Sequence, residues 1–180
     1  MSDYEKLEYA FELLLSASEY AFDGEGNPIE NESTLTLIGA LIDGSAVCEG
    51  YAMAFNFLCD ALGISSFVIV SEELDHAWNI VELDGAWYFV DATWSDTSSD
   101  TYFLLGSTAF EESHGTFDEL LDYPELSEDY YGKPVEMFYV TFMVNGEEYA
   151  SVPVESGSLV TVPEAPQIEG YTFDGWITLS

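Results

Sequence analysis

Apolar positions in the opening segment, "SDYEKLEYAFELLLSASEY", recur every three or four residues. Leu7, Ala10, Phe11, Leu14 and Leu15 fall on one face, which predicts an amphipathic helix over residues 2–20. Ser2 and Glu5 have the spacing of a capping box. The next stretch, "DGEGNPIENES", reads as a loop from its Gly, Asn and Pro content. "TLTLIGALI" at 34–42 predicts a short buried helix, broken by Asp43-Gly44-Ser45. Residues 46–62, "AVCEGYAMAFNFLCDAL", are apolar nearly all round and predict a central, buried helix. Ser45 is placed to cap its start, and Gly63 to make the left-handed exit at its end.

The period then shortens to two. "SFVIVS" at 66–71, "HAWNIVEL" and "AWYFVDATW" predict three strands, with "TYFLLG" at 101–106 as a fourth. Asp84-Gly85 between the second and third is a strong two-residue hairpin signal. Residues 107–134 are acidic, with helix and loop character. After Pro134, "MFYVTFMVNGEEYASVPV" predicts strand, Asn-Gly turn, strand, and the proline-rich remainder predicts further short strands. Helices followed by strands, then a β-rich tail, describe an α+β chain with domains at 1–134 and 135–180.

Composition narrows the functional classes. Nearly half of the residues are apolar, so a packed core is expected. Against 35 acidic residues stand two cations, Lys6 and Lys133, and no arginine, for a formal net charge of −33. Such a chain repels nucleic acid and anionic membrane surfaces and attracts cationic or cell-wall-associated partners. No apolar run approaches the roughly 20 residues needed to span a bilayer. Two cysteines make no disulfide framework.

Candidate chemistry centres on Cys48. Most unpaired cysteines are small buried hydrophobes. A cysteine in the first turn of a helix, however, meets unpaired N–H groups and a partial positive charge, which favour a thiolate and can bind an oxyanion. Cys59 lies 59 − 48 = 11 residues further along the same helix, roughly 16 Å away at 1.5 Å per residue, too far for a disulfide. It reads as structural. In the hairpin, an Asp84-Gly85 turn pairs positions whose numbers sum to 169, so His76 faces Thr93 and Trp78 faces Asp91. His76 and Asp91 are then diagonal neighbours on one face. Asp91 is a lone carboxylate in an aromatic strand, which is costly unless paired; an imidazole is a suitable partner. Tyr51 and Trp78 are candidates for the cleft wall, with core packing as the alternative. His114 is expected to be a surface or packing residue. Two distant cysteines and one nearby histidine do not make a zinc site, and "DGEGNPIENE" lacks calcium-loop spacing. No cofactor is called for.

The blocks "AVCEGYAMAFNFLCDALGI", "DHAWNIVELDGAWYFVDATW" and "YFLLGSTAFEESH" resemble the bacterial transglutaminase-like superfamily of papain-type cysteine enzymes over about residues 3–125. The resemblance implies a Cys-bearing helix packed on an antiparallel sheet. It implies Cys48 as nucleophile, His76 as general base and acid, and Asp91 as the orienting carboxylate. The chemistry implied is a thioester on cysteine, transferred to water or to an amine, with a peptide or protein substrate. Relatives of this type carry Tyr-Gly ten residues before the cysteine; here Ile38-Gly39 occupies that place, so an aromatic hydroxyl is missing there. The tail, "VPVESGSLVTVPEAPQIEGYTFDGW", resembles the Listeria–Bacteroides surface repeat, a small β-grasp-like module. This implies a secreted or cell-surface protein, with Val140, Phe142, Tyr171, Phe173 and Trp176 as the core of the module. The alternative to an enzyme is a cell-surface binding or scaffold domain that retains the fold.

Overall fold

A computed structural model describes residues 1–98, 101–115, 123–132, 137–155 and 159–177. Contacts divide the chain into two units, Met1–Gly132 and Lys133–Ser180. The domain boundary expected at residue 134, and part of the acidic 107–134 segment, lie outside the described residues.

In the first unit, helix α1 (Asp3–Ala17) starts on the expected capping box: Glu5 N–H donates to Ser2 Oγ at 3.2 Å, and Ser2 N–H donates to Glu5 Oε2 at 2.6 Å. Its buried face is Tyr4, Leu7, Ala10, Phe11 and Leu14. Strand β1 (Glu19–Tyr20) follows and pairs in parallel with β2 (Ser45–Ala46). This ladder moves the start of helix α2 to Cys48–Leu62. Ser45 is therefore not the cap: its backbone belongs to the strand, and Val47 holds the cap position without a side-chain hydrogen bond. The expected buried helix at 34–42 starts later than predicted: turns lead into residues 37–38, which are α-helical and run on into a π-helical segment, Gly39–Asp43. Gly39 and Ala40 are buried there, whereas Ile38 and Ile42 are exposed.

Helix α2 buries Tyr51, Ala54, Phe55 and Cys59, but Met53 and Phe57 face solvent, so it is covered on one side rather than all round. Gly63 ends it at φ 75°, as the sequence predicts. At the other end Gly50 is needed for close approach: a Cβ there would lie 2.5 Å from the Thr34 carbonyl oxygen and 2.8 Å from Ala46 Cβ.

A four-stranded antiparallel sheet, β3 (Ser66–Ser71), β4 (His76–Leu83), β5 (Ala86–Val90) and β6 (Phe103–Leu105), runs in sequence order. Asp84 and Gly85 both take positive φ, 53° and 82°, as a type I′ turn requires. The register is the predicted one, from Leu83↔Ala86 to Asn79↔Val90. Alternation divides the apolar side chains between two cores. Val81, Leu83, Tyr88, Val90 and Phe103 join the core formed with α1 and α2. Ile69, Trp78, Ile80 and Phe89 pack with Phe110 of helix α4 (Ser107–His114), whose ring stacks on Phe89 at 3.9 Å. Among the described residues, no helix is long and apolar enough to cross a membrane.

In the second unit, β7 (Met137–Val144) and β8 (Glu147–Glu155) form an antiparallel hairpin around Asn145-Gly146, again with both turn residues at positive φ. Phe142 is buried and meets Trp176 edge-on at 4.9 Å; Phe173 lies 5.2 Å from the same indole. Tyr171, expected in this core, is 81% exposed. Residues 159–177 form no strand. Pro163 and Pro166 offer no N–H to a ladder, and Gly170 and Gly175 turn the chain at positive φ.

Candidate active site

Three chain segments bring Cys48, His76 and Asp91 together. Cys48 is the first residue of α2 and is half-buried. His76 opens β4 and is buried. Asp91 follows the last residue of β5 and is fully buried. The strand stops there because Asp91 caps helix α3 (Ala92–Thr97): its Oδ1 accepts the Trp94 N–H at 2.9 Å. Thr93 thus lies in a helix, and the expected His76–Thr93 strand pair does not form. The histidine and the carboxylate meet by another route, with His76 Nε2 2.6 Å from Asp91 Oδ2.

With Nε2 committed to Asp91, the other ring nitrogen is left for Cys48, and His76 makes a hydrogen bond with that residue. Burial pulls the His76 pKa down. The Asp91 and Cys48 hydrogen bonds and their electrostatic attraction more than reverse this, and His76 is raised to about 9. Burial also acts to raise the Asp91 carboxyl. The hydrogen bonds from His114 and His76, the His76 charge and the Trp94 N–H outweigh it and hold the group below its ordinary value. Cys59 contrasts with Cys48: it is fully buried, and burial pushes its thiol up to about 12.

The cleft candidates fall elsewhere. Tyr51 is fully buried in the core, with its hydroxyl donated to Asp96 Oδ2 at 2.7 Å. Trp78 is 1% exposed and packs beneath His76, with ring centroids 5.7 Å apart. Neither lines an open surface. Half-buried Trp94 instead stacks against His76 at 5.5 Å.

Two residues of the site escaped the sequence reading. Position 38 lacks the aromatic hydroxyl, but Tyr20 supplies one from β1. The β1–β2 ladder sets Tyr20 opposite Ala46, two residues before the cysteine, and the Cys48 N–H reaches the phenol oxygen. Burial, then the charges of Cys48, Glu30 and Asp75, push this phenol up to about 12, so it stays protonated. The second is His114, which is not at the surface: its side chain is fully buried, with Nε2 3.0 Å from Asp91 Oδ2. Among the described residues, His76, Asp91 and His114 bring three ligand-type atoms within 4.8 Å of one another. Each Nε2 sits at hydrogen-bonding distance from the carboxylate, so proton sharing accounts for the spacing.

Residues 138–180 match the Listeria-Bacteroides repeat domain family. Kyphoscoliosis peptidases of Mus musculus and Homo sapiens are each 32% identical over 93 residues, covering 37% of this chain. The chain spans only 14% of the length of those relatives. Among solved structures, one described as a TGase gives a TM-score of 0.44 at 21% identity, covering 52% of this chain and 27% of the other. A protein from Cytophaga hutchinsonii described as a cysteine protease gives 0.36 at 26% identity, covering 50% and 31%. By name the two curated relatives are peptidases, and the similarity to them is confined to the matched 93 residues.

Proposed function

We propose that the first unit is a cysteine-dependent acyl-transfer enzyme acting on an amide of a peptide or protein. One observation carries the reading: an ionised, fully buried Asp91 holds His76 at 2.6 Å, beside a half-exposed thiol at a helix start. His76 takes the thiol proton, and the Cys48 sulfur attacks the substrate carbonyl carbon. The carbonyl electron pair moves to oxygen, towards the Cys48 N–H and the Tyr20 hydroxyl. When the tetrahedral species collapses, the C–N bond breaks and the departing amine takes its proton from His76. The thioester that remains is then attacked by water or by a second amine, with His76 taking the attacker's proton; the C–S bond breaks and the Cys48 sulfur leaves as the thiolate, to be reprotonated or held beside the imidazolium. Asp91 keeps the imidazole in the tautomer that faces sulfur and stabilises the imidazolium. The surface-repeat match supports work outside the cell or at its surface.

The test is competitive alkylation of the folded chain by iodoacetamide near neutral pH, read at each cysteine by mass spectrometry. Cys48 is expected to react on the order of 10-fold faster than Cys59, or more, with the advantage lost in His76→Ala. Slow, equal labelling of both thiols would leave a binding or scaffold domain.

A further inference from the structure

His114 ends α4 with its ring packed between Phe110 and Trp94, each centroid 3.8 Å away, and with Tyr102 edge-on at 5.6 Å. An aromatic hydrocarbon would fill this place without burying two ring nitrogens. Both nitrogens are occupied: Nδ1 is 2.8 Å from Ser113 Oγ, and Nε2 is 3.0 Å from Asp91 Oδ2. That oxygen is the one that holds His76, while Oδ1 is taken by the Trp94 N–H. Two imidazoles therefore compete for one carboxylate oxygen, and His76 is the one that also interacts with Cys48.

We propose that His114 is a positioning residue of this site: its Nε2–H shares Asp91 Oδ2 with His76 and, by drawing charge from that oxygen, sets how tightly the carboxylate holds the proton of His76. The inference rests on the reading of Cys48, His76 and Asp91 as a reacting triad. An unshared carboxylate 2.6 Å from an imidazolium would bind the proton too firmly for easy release to a leaving amine. A second donor loosens that hold and also keeps Asp91 ionised despite its burial. The titratable groups that face His76 are Asp91 at the end of β5, Cys48 from α2 and, across Oδ2, His114 from α4; Asp75 precedes it in the chain.

The chain has two histidines, so both can be followed by ¹⁵N NMR in the intact protein. His114→Phe keeps the ring stack and removes the donor. It should raise the His76 titration midpoint by roughly 0.5–1 pH unit, the scale of one hydrogen bond. His114→Gln can return an N–H to Oδ2 and should stay within ~0.3 unit of wild type, by the same scale. An unmoved midpoint in folded His114→Phe, or an equal shift in both variants, overturns the proposal. Should His114→Phe fail to fold, the wild-type spectrum decides. A proton on His114 Nε2 is required, and a neutral ring protonated only at Nδ1 overturns the assignment. Iodoacetamide labelling of the same samples keeps the two readings apart. Slow Cys48 in wild type removes the triad, whereas fast Cys48 with an unmoved His76 removes only the role of His114.

Discussion

Replacing Asp91 by Asn separates the two tasks of this side chain. Asparagine caps a helix as well as aspartate does, so its Oδ1 can keep the Trp94 N–H and α3 should survive. The partner of His76 is what changes: an NH2 group, or an uncharged oxygen, replaces the carboxylate oxygen at 2.6 Å. His76 titrates near 9 in the folded chain, against about 6.5 when unfolded. A folded value above the unfolded one means that protonated His76 stabilises the fold fully below pH ~6.5, and that this contribution is lost as pH rises through 9. At about 1.4 kcal/mol per unit, the difference is worth about 3 kcal/mol. In Asp91→Asn, burial remains and the Asp91 attraction is gone while that of Cys48 stays, so His76 should titrate well below 9 and the pH slope should flatten. The stability gap between wild type and variant should therefore be larger at pH 6 than at pH 9, narrowing over that range by up to about 3 kcal/mol. Cys59 and the buried tyrosines also titrate high, but they are common to both proteins and cancel in the comparison. Urea unfolding at pH 6, 7.5 and 9, with NMR titration of His76, measures both quantities. A His76 midpoint in Asp91→Asn within half a unit of wild type would refute the reasoning.

Other perturbations address the oxyanion and the charge. Tyr20→Phe should slow acylation of Cys48 by an activated aryl ester by roughly 10- to 100-fold, because a donor to the developing oxyanion is lost. Alkylation by iodoacetamide forms no oxyanion and should change less than about twofold; equal loss in both assays would assign Tyr20 to packing alone. With a formal net charge of −33, the chain repels itself, and added salt screens that repulsion. The melting temperature should therefore rise between low salt and ~0.5 M NaCl, where the Debye length falls to about 4 Å, and a curve unmoved by salt would contradict this.

Legibility varied with how local the signals were. Ser2 and Glu5 mark the first helix, and Asp84-Gly85 sets the hairpin register, because each is a short-range rule satisfied within a few residues. Ser45 misled because its competitor is distant: the pairing of 19–20 with 45–46 claims the backbone that a cap would have used. Tyr20 was invisible for the same reason, since only that ladder sets its residue opposite the approach to Cys48. His114 had a weak local signal. It lies four residues after Phe110 on a helix, so the two share a face, but "STAFEESH" is otherwise polar and does not show that this face meets the sheet. The tail reads as strand-forming by residue type, yet in 159–177 its prolines and turning glycines prevail.

Asp91 shows why its contact with His76 could be expected for an incomplete reason. Strand alternation placed it on the face of His76, and the pair is real, but the carboxylate is held by the strand's end rather than by its continuation. Had β5 run on to Thr93, Asp91 would have been a ladder residue and Trp94 could not have offered its helical N–H to Oδ1. Stopping the strand at Val90 gives each carboxylate oxygen its own task. Oδ1 is fixed by the start of α3, and Oδ2 is left to the two histidines. The switch from strand to helix thus supplies the rigidity that a buried carboxylate needs to orient an imidazole. It also delivers Trp94 to a stack on the His76 ring. A variant that lengthened β5 without changing any of Cys48, His76 or Asp91 would therefore be expected to disable the site.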